Sequence, residues 1–274
     1  MTTLVLGATG TTGSLVASRL RADGHVVRTA SRRPGAADAV FDWYTPSGFA
    51  AALDGVHGVY LVLPDGAIDP EPVVRPFLEQ ARDTGVQRIT LLSSSAIPVG
   101  SPGPGEVAAR LPDYVPGWAV LRPSWFASNF TGRHAHAQSV RESGEIVSAT
   151  GDGRTPFIAP ADIAAVAAHT LTASAPINRA LLLTGPQPLS FPEVADQLSI
   201  VTGRTIRHRR VSGAELAVLW EKNGVPRPFA ELLASLDEAI AAGAEDRVSP
   251  VVEELTGRRP LAFADFLAGQ NASS

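Results

Sequence analysis

The sequence predicts an α/β protein: a doubly wound parallel sheet with a smaller, helix-rich lobe near the C-terminal end. Apolar runs of strand length recur between amphipathic stretches of helix length, as expected for a parallel sheet covered by helices on both faces. A glycine-rich turn joins the first strand to the first helix. The 274 residues suffice for one large α/β domain, or for one such domain with a smaller companion.

Composition excludes several classes of function. The formal net charge of −4 offers no positive field that would attract nucleic acid or an anionic membrane. The chain has no cysteine, so disulfides and thiolate metal sites are excluded. It has no charged leader followed by an apolar segment and no apolar run long enough to span a membrane. We therefore expect a cytoplasmic protein that acts on a small molecule, with no nucleic-acid or membrane partner.

The first thirty residues predict a strand, a tight turn, a helix and a second strand. Thr3–Leu6 is an apolar strand, and it runs directly into Gly7-Ala8-Thr9-Gly10-Thr11-Thr12-Gly13. The helix that follows extends to about Ala22, and Gly24 ends it. His25–Ala30 then forms the second strand, which completes a unit of about thirty residues.

This turn matches the fingerprint of a dinucleotide-binding unit. It brings bare backbone N–H groups and the positive end of a helix dipole together, which suits a pyrophosphate. Gly7 lets the chain leave the strand, Gly10 lets phosphate approach the backbone, and Gly13 lets the helix press on the sheet. The alternative is a purely structural turn, but the strand and helix context favours the nucleotide.

The residues after the second strand indicate which dinucleotide is bound. An NAD site would place an acidic residue here, whereas this chain has Ser31, Arg32 and Arg33. Arginine can hold a 2′-phosphate through two parallel hydrogen bonds, and the serine hydroxyl can add a third. The sequence therefore predicts NADPH/NADP as cofactor. The alternative is that the arginines are solvated loop charges, an interpretation that applies more to Arg33 than to Arg32.

Strands and helices continue to alternate along the rest of the chain. Further strands are predicted at Gly58–Leu63, Arg88–Leu92, Trp118–Leu121, Ala180–Thr184 and Ile206–Val211. Helices are predicted at Pro72–Thr84, from the N-cap Asp162 to about Leu171, at Phe191–Val201, Gly213–Lys222 and Phe229–Ala242, and near Phe263. Dense proline and glycine from Pro98 to Gly105 predict a mobile loop or lid rather than the start of a helix.

We expect two domains and one ligand crevice. Residues 1–150 are assigned to an NADP-binding domain and residues 151–274 to a substrate-covering lobe, with about 158–184 returning to the first domain. In a doubly wound sheet the crevice lies outside the carboxyl ends of the strands. The loops that should open onto it begin at Gly7, Ser31, Asp42, Pro64, Ser93 and Arg122. Leu63, Pro64 and Ser93 are therefore expected to contact the cofactor.

Several motifs in register resemble a known family. Besides the glycine turn and the serine run, the segments concerned are Leu121–Phe130, Ala149–Ile158, Gly243–Asp246 and Thr256–Pro260. The chain looks like an NmrA-like atypical short-chain dehydrogenase/reductase, similar to the ergot-alkaloid-type reductases typified by festuclavine and agroclavine synthases. The resemblance covers nearly the whole chain. It implies a Rossmann domain, a small C-terminal lobe, NADPH as hydride donor and an organic acceptor, which in those relatives is a cyclic iminium.

The resemblance also implies roles for single residues. Asp42 resembles the acidic residue that meets the adenine amino group, and Trp43 is expected to stack nearby. Ser94 and Ser95 stand where the family places hydroxyls beside the nicotinamide, and Ser94 is the favoured polar contact. The alternative is that these hydroxyls only satisfy backbone groups at the end of a strand.

The proton donor of ordinary short-chain dehydrogenases is missing. Those enzymes protonate an alkoxide through a tyrosine that is assisted by a lysine four residues later. The tyrosines here are Tyr44, Tyr60 and Tyr114, and none is followed at that distance by lysine, because Lys222 is the only lysine. An acceptor that needs no proton from the protein, such as an iminium or a quinone, is therefore favoured. This absence also disfavours a sugar-nucleotide epimerase.

Aromatic residues are the candidates for holding the acceptor. Trp125, Phe126 and Phe130 offer flat faces for a planar or cationic molecule, and Asn129 could orient it by a hydrogen bond. The alternative for each aromatic side chain is a place in the core. His134 is a candidate proton donor facing the cleft.

The histidines do not predict a metal site. His134 and His136 are two apart on a predicted helix, so their side chains should diverge by about 200° and could not share a metal. The leading hypothesis is thus an NADPH-dependent reductase of an iminium, quinone or related conjugated acceptor. The alternative is an NmrA-like regulatory protein that senses NADP(H) without turnover. The aromatic side chains favour the enzyme, because a pure sensor needs no apolar acceptor pocket.

Overall fold

The computed structural model describes residues 1–132 and 134–271. Its strands are β1 (Thr2–Val5), β2 (Val26–Ser31), β3 (Ala39–Val40), β4 (Val56–Val62), β5 (Arg88–Leu92), β6 (Gly117–Pro123), β7 (Glu145–Ser148), β8 (Arg154–Thr155), β9 (Arg179–Leu183), β10 (Leu189–Ser190) and β11 (Arg207–Arg210). Its helices are α1 (Thr11–Ala22), α2 (Phe49–Leu53), α3 (Glu71–Asp83), α4 (Pro104–Arg110), α5 (Ala135–Ser143), α6 (Pro160–Thr172), α7 (Phe191–Thr202), α8 (Gly213–Lys222), α9 (Arg227–Ala241), α10 (Val251–Thr256) and α11 (Phe263–Asn271). Short 3₁₀ helices lie at Pro46–Gly48, Leu111–Asp113 and Ala127–Phe130.

The chain divides into two compact units. The first contains Met1–Pro123, Pro160–Leu183 and Val251–Arg258, and the second contains Ser124–Ala159, Thr184–Pro250 and the chain from Arg259 onwards. Residues 124–150, which were assigned by sequence to the nucleotide domain, thus pack in the second unit. The difference arises because the last strand before this segment, β6, ends at Pro123.

The first unit contains a seven-stranded sheet, and this confirms the predicted fold class. The strand order is β3-β2-β1-β4-β5-β6-β9, and all neighbouring strands are parallel. Successive strands run outward in one direction from β1 to β3 and in the other from β4 onward. The order therefore reverses between β1 and β4, which makes this the topological switch point where such sheets bind ligands.

Helices cover both faces of this sheet. On β5, Ile89 and Leu91 pack in the same core cluster as Phe77 of α3. The intervening Thr90 points the other way, and its Oγ1 lies 2.8 Å from Oγ1 of Thr170 on α6. This alternation places α3 and α6 on opposite faces, as a doubly wound sheet requires.

The second unit is helix-rich, as predicted, and its small sheets contribute little area. β7 and β11 form a parallel pair, and β8 and β10 form an antiparallel pair. Its core is a cluster that includes Phe130, Phe157, Phe191 and Phe263. Strand β11 carries three exposed arginines, Arg207, Arg209 and Arg210, and within the described chain it pairs only with β7.

Two sequence predictions about local structure were wrong. Asp162 is not an N-cap, because α6 already begins at Pro160, and a proline is well suited to a first turn. The segment from Pro98 to Gly105 is a hydrogen-bonded turn that leads into α4 rather than a loop without a helix start. There the N–H of Ser101 donates to the carbonyl of Pro98 at 3.2 Å.

Within the described ranges, no helix has the combination of length and apolar composition needed to cross a bilayer.

Candidate functional site

The glycine turn is held by backbone geometry alone. Gly7 has a φ of +62°, the left-handed region that glycine adopts without steric cost. The N–H of Gly10 donates to the carbonyl of Gly7 at 2.8 Å, and the N–H of Ala8 donates to Ala30 at 3.2 Å. A Cβ added at Gly13 would overlap the Gly7 carbonyl, so only glycine permits this close approach of α1 to the turn.

The start of α1 has the properties of an anion site. Its N-cap is Gly10, which has no side chain to accept hydrogen bonds from the first turn, and no acidic residue lies in that turn. The first N–H groups of a helix lack partners inside the helix and carry the positive end of its dipole. A phosphate placed there would satisfy them.

A cavity of about 310 Å³ opens in front of this turn, entirely within the first unit. It is lined by Leu6, Gly7, Thr9, Gly10, Thr11, Thr12, Ala30, Ser31, Arg32, Phe41, Asp42, Trp43, Tyr44, Val62, Leu63, Pro64 and Asp65. These include every residue predicted to bind the cofactor except Gly13, Arg33 and Ser93. Gly13 does not line the cavity, but its lack of a side chain allows α1 to lie against the turn.

The two arginines after β2 differ in position. Arg32 lines the cavity, is exposed, and makes no hydrogen bond or ion pair with a described residue. Arg33 is exposed but does not line the cavity. The hydroxyl of Ser31 donates to the carbonyl of Arg33 at 3.1 Å, so in this structure it is turned to the backbone and not to the cavity. Among these residues, Arg32 is therefore the available cation.

The far end of the cavity is shaped by residues around β3. Asp42 is half-buried, and its Oδ1 accepts from the N–H of Tyr44 at 3.0 Å. Trp43 is only 9 % exposed, and its ring packs among Phe41, Phe49 and Phe77. Little of its surface is thus left for the predicted stacking, although it lines the cavity. Tyr44, which sequence analysis did not select, also lines the cavity and is 70 % exposed.

The serine run lies at the carboxyl ends of β5 and β6. The N–H of Ser93 donates to Leu121 at 2.8 Å, and the buried Oγ of Ser93 makes no hydrogen bond to a described residue. The Oγ of Ser94 accepts from the N–H of Ala96 at 3.3 Å. The guanidinium of Arg122 donates to the carbonyls of Ser94 at 3.3 Å and Ser95 at 2.7 Å.

Arg122 was therefore missed as a positioning residue. It stands at the end of β6 and holds the backbone of the loop that follows β5. The sequence signal was an arginine at the end of an otherwise apolar strand, where a charge needs a partner.

The aromatic residues proposed for the acceptor have different environments in the second unit. Trp125 and Phe126 are half-buried, and the carbonyl of Trp125 accepts from Ile158 at 2.9 Å. Asn129 is half-buried, and its amide makes no hydrogen bond to a described residue. Phe130 is 3 % exposed and contacts the rings of other core residues, so it has no free face for a ligand. Its assignment to the acceptor is thus corrected to the core.

The structure corrects the expected orientation of His134 and His136 relative to each other. His134 is the N-cap of α5 in an extended conformation, and its Nδ1 accepts from the N–H of His136 at 3.2 Å. Because it lies outside the regular helix, the two rings do not diverge, and their centroids are 4.9 Å apart. His134 is exposed, yet desolvation by surrounding atoms lowers its pKa. In the described parts of the chain, no group of three histidine or acidic side chains could hold a metal.

The three tyrosines differ in how deeply their rings are buried. Tyr60 is fully buried in β4, and this burial raises the pKa of its hydroxyl. Tyr114 is buried as well. Only Tyr44 has an exposed ring, and it lies at the cavity of the first unit.

Comparison with known proteins identifies the family of the chain. Residues 7–115 match the protein family described as NAD(P)H-binding. The chain is 40% identical to the uncharacterised oxidoreductase YesF of Bacillus subtilis, with 98% of this chain and 95% of that protein covered. It is 38% identical to agroclavine dehydrogenase of Claviceps fusiformis, with 98% and 96% covered.

Among solved structures, the fold is similar to an NADPH-dependent quinone oxidoreductase, QOR2, of Escherichia coli that was crystallised with NADPH. The TM-score is 0.82 at 23% identity, over 99% of this chain and 100% of the other. At this level of identity the similarity describes the fold alone.

Proposed function

Because the chain belongs to the family of NAD(P)H-binding oxidoreductases that includes the agroclavine dehydrogenases, we propose that it is an NADPH-dependent reductase of an iminium, quinone or related conjugated acceptor. The observation that carries the choice of NADPH is Arg32. Its exposed guanidinium lines the cavity and has no partner among the residues that the structure describes. A 2′-phosphate is the group that would use a charge at this place.

The residues that line the cavity offer contacts for several parts of such a dinucleotide. The uncapped N–H groups at the start of α1 would hold the pyrophosphate. Because Gly13 has no Cβ that would overlap the Gly7 carbonyl, α1 can lie close to the turn. The second carboxylate oxygen of Asp42 would accept from the adenine amino group. Leu63 and Pro64 would contact the cofactor from the end of β4. When bound, the reduced nicotinamide supplies a hydride.

The residues near the serine run would orient both partners of the reaction. The buried hydroxyl of Ser93 has no hydrogen-bond partner among the described residues, and the Ser94 hydroxyl hydrogen is not needed by the Ala96 contact. The Ser94 hydroxyl can therefore donate to a polar atom of the cofactor or acceptor. Arg122 would fix the loop by holding the carbonyls of Ser94 and Ser95. Positioning of this kind can contribute about 7–11 kcal/mol to lowering a barrier.

The acceptor candidates of the second unit differ in what each side chain can offer to a ligand. Trp125 and Phe126 are half-buried and can each present part of a ring, while the amide of Asn129 has no partner among the described residues. His134 accepts through Nδ1, so its neutral ring donates through Nε2. Since its pKa is lowered, we assign His134 a hydrogen-bonding role and not the donation of a full proton.

The acceptor class follows from the groups that the chain lacks. Lys222 is the only lysine, so the tyrosine and lysine pair that protonates an alkoxide is absent. An iminium nitrogen takes up an electron pair and becomes a neutral amine, and a reduced quinone is a stabilised phenolate that water can protonate. Neither acceptor requires a side-chain acid.

The test is the rate of NADPH oxidation with a panel of cyclic iminiums, quinones, enones and simple ketones. We expect turnover with the iminium or quinone group and none with simple ketones. Rapid reduction of ketones alone would contradict the proposed acceptor class. Tight NADPH binding without turnover across the whole panel would favour the regulatory alternative.

A further inference from the structure

The second unit contains its own cavity, of about 170 Å³. It lies among α5, β7, β11 and α8, and every residue that lines it belongs to this unit. Val147, Leu216, Leu219 and Trp220 supply apolar walls. His136 also lines the cavity. The cavity thus combines hydrocarbon and aromatic walls with one buried imidazole.

His136 is a buried polar side chain whose ring nitrogens have no hydrogen-bond partner among the described residues. It is 7 % exposed, and its ring stacks on Phe130 with centroids 5.5 Å apart. The edges of Phe191 and Trp220 enclose it further. Its ring nitrogens make no hydrogen bond to any residue that the structure describes. Such a group costs free energy unless something in the cavity bonds to it.

The imidazole is neutral at neutral pH. Burial lowers the pKa of His136 to about 3, and the nearby His134 and His208 add to the effect. A neutral imidazole offers one N–H donor and one acceptor nitrogen. It suits a hydroxyl group, which can take either role.

The charges of the polar residues that line the cavity favour a neutral ligand over a charged one. Ser139 and Asn223 are uncharged. Arg209 also lines the cavity, but its Nε already pairs with a carboxylate oxygen of Glu145 at 3.0 Å. The local charge is therefore balanced, and a neutral molecule fits better than an anion.

The volume limits the ligand to one ring. A dry protein cavity of about 150 Å³ is known to admit benzene, and this cavity of about 170 Å³ leaves room for a small substituent. We propose that it is a binding site for a neutral, single-ring phenol, with the ring against Trp220 and Leu216 and the hydroxyl bonded to His136. The proposal does not depend on the proposed function, because none of these residues lines the nucleotide cavity.

The probe is phenol itself, with toluene as a partner of similar shape that lacks the hydroxyl. In calorimetric or ligand-observed NMR titrations we expect saturable binding of phenol with a Kd on the order of 1 mM. His136→Phe keeps an aromatic ring and removes the hydrogen bond. It should weaken phenol roughly 3- to 10-fold and leave toluene nearly unchanged.

A second pair of variants covers the case in which His136→Phe does not fold. Ser139→Phe places a ring into the cavity from α5, whereas Ser143→Phe adds the same ring on the same helix outside it. Ser139→Phe should abolish phenol binding, and Ser143→Phe should not. Absence of saturable phenol binding by the wild-type protein would overturn the proposal. So would phenol binding that survives Ser139→Phe, or benzoate binding more tightly than phenol.

Discussion

The molecule has two aromatic clusters, and each contributes one wall of a cavity. In the first unit, Trp43 and its phenylalanine neighbours pack edge to face, with no titratable group among them. In the second unit, Phe130 and Phe191 pack instead against the ring of His136. The first cluster can only shape a wall, so the polar contacts of its cavity come from outside the cluster, among them the backbone N–H groups of α1, Arg32 and Asp42. In the second cluster the polar group is the imidazole of His136, which is itself one of the packed rings.

This difference affects both binding and stability. A site made from backbone depends on a few positions where no side chain fits. A site made from a buried imidazole depends on keeping that ring uncharged, and its stability therefore varies with pH. The following predictions test the contrast.

The largest effect is expected for the backbone site. In Gly13→Ala the new methyl group overlaps the Gly7 carbonyl, so α1 or the turn must move. We expect NADPH affinity to fall at least 100-fold, or roughly 3 kcal/mol, in a calorimetric titration. Gly48→Ala is the control, because a Cβ there meets nothing within 4 Å. Equal NADPH binding by both variants would show that the turn is not the nucleotide cradle.

The second prediction concerns the acid sensitivity of the histidine cluster. The folded pKa of His136 is about 3 and its ordinary value is 6.5, so the unfolded chain takes up the proton first. The neutral ring contributes its full share of the folding free energy above the ordinary pKa. That share is lost as the pH falls toward the pKa of the folded state. Between about pH 7 and about pH 4, the wild type should lose on the order of 3 kcal/mol more than His136→Phe.

This difference is measured by denaturant unfolding at several pH values. His208, whose pKa is lowered mainly by burial, is present in both proteins and contributes to both curves. His25→Gln, at an exposed histidine, serves as the control and should follow the wild type. Parallel curves for wild type and His136→Phe would remove the contrast between the two clusters.

A somewhat smaller effect is expected at the 2′-phosphate. Arg32→Ala should weaken NADPH by about 2 kcal/mol, or roughly 30-fold, because it removes charge-assisted hydrogen bonds. NADH affinity should stay within about twofold. The adjacent Arg33→Ala is the matched control, since Arg33 does not line the cavity. If Arg33→Ala has the larger effect on NADPH, the two roles must be exchanged.

The smallest effect is expected at Asp237, a second buried titratable group of the second unit. Burial raises its pKa to about 6, and its carboxylate accepts from the N–H of Ala149 at 2.9 Å. The native state therefore keeps its proton where the unfolded chain loses it, and stability falls as the pH rises from about 4 to about 6. This dependence is opposite in sign to that of His136.

Asp237→Asn should remove that slope and be about 1 kcal/mol more stable at neutral pH. The gain is smaller than the full pKa shift would imply, because the new amide hydrogens need partners. Unfolding curves at several pH values measure it, with the exposed Asp246→Asn as the control. An unchanged slope in Asp237→Asn would contradict the assignment.

The first unit was largely predictable because local rules determine it. Strand, glycine turn and helix follow from neighbouring residues, and the predicted strand Arg88–Leu92 agrees residue for residue with β5. Where the prediction failed, contacts distant in sequence were decisive. The bonds from Arg122 to the loop after β5 cross a separation of 27 residues or more. No local pattern indicates them.

In the second unit the sequence predicted helices and also the strand that is β11. α8 was predicted with its observed ends, Gly213–Lys222, and the structure shows that Ser212 and Glu215 form a capping box at its start. The core around Phe130 was not predictable, since its members come from segments that are far apart in the sequence, such as those of Phe157, Phe191 and Phe263. An isolated aromatic residue in a sequence does not show whether it faces a core or a ligand. His134 shows the same limit at a helix end, where one extended residue reverses the expected direction of a side chain.

The arginine-rich strand β11 has a consequence for behaviour at high protein concentration. An edge strand presents unpaired backbone groups, and two copies could extend each other's sheets through them. Arg207, Arg209 and Arg210 are exposed along this strand. Arg209 and Arg210 form ion pairs with Glu145 and Asp152, so a second copy of the strand would have to displace these pairs as well as the exposed Arg207 before its backbone could approach. Long charged side chains of this kind hinder edge-to-edge pairing.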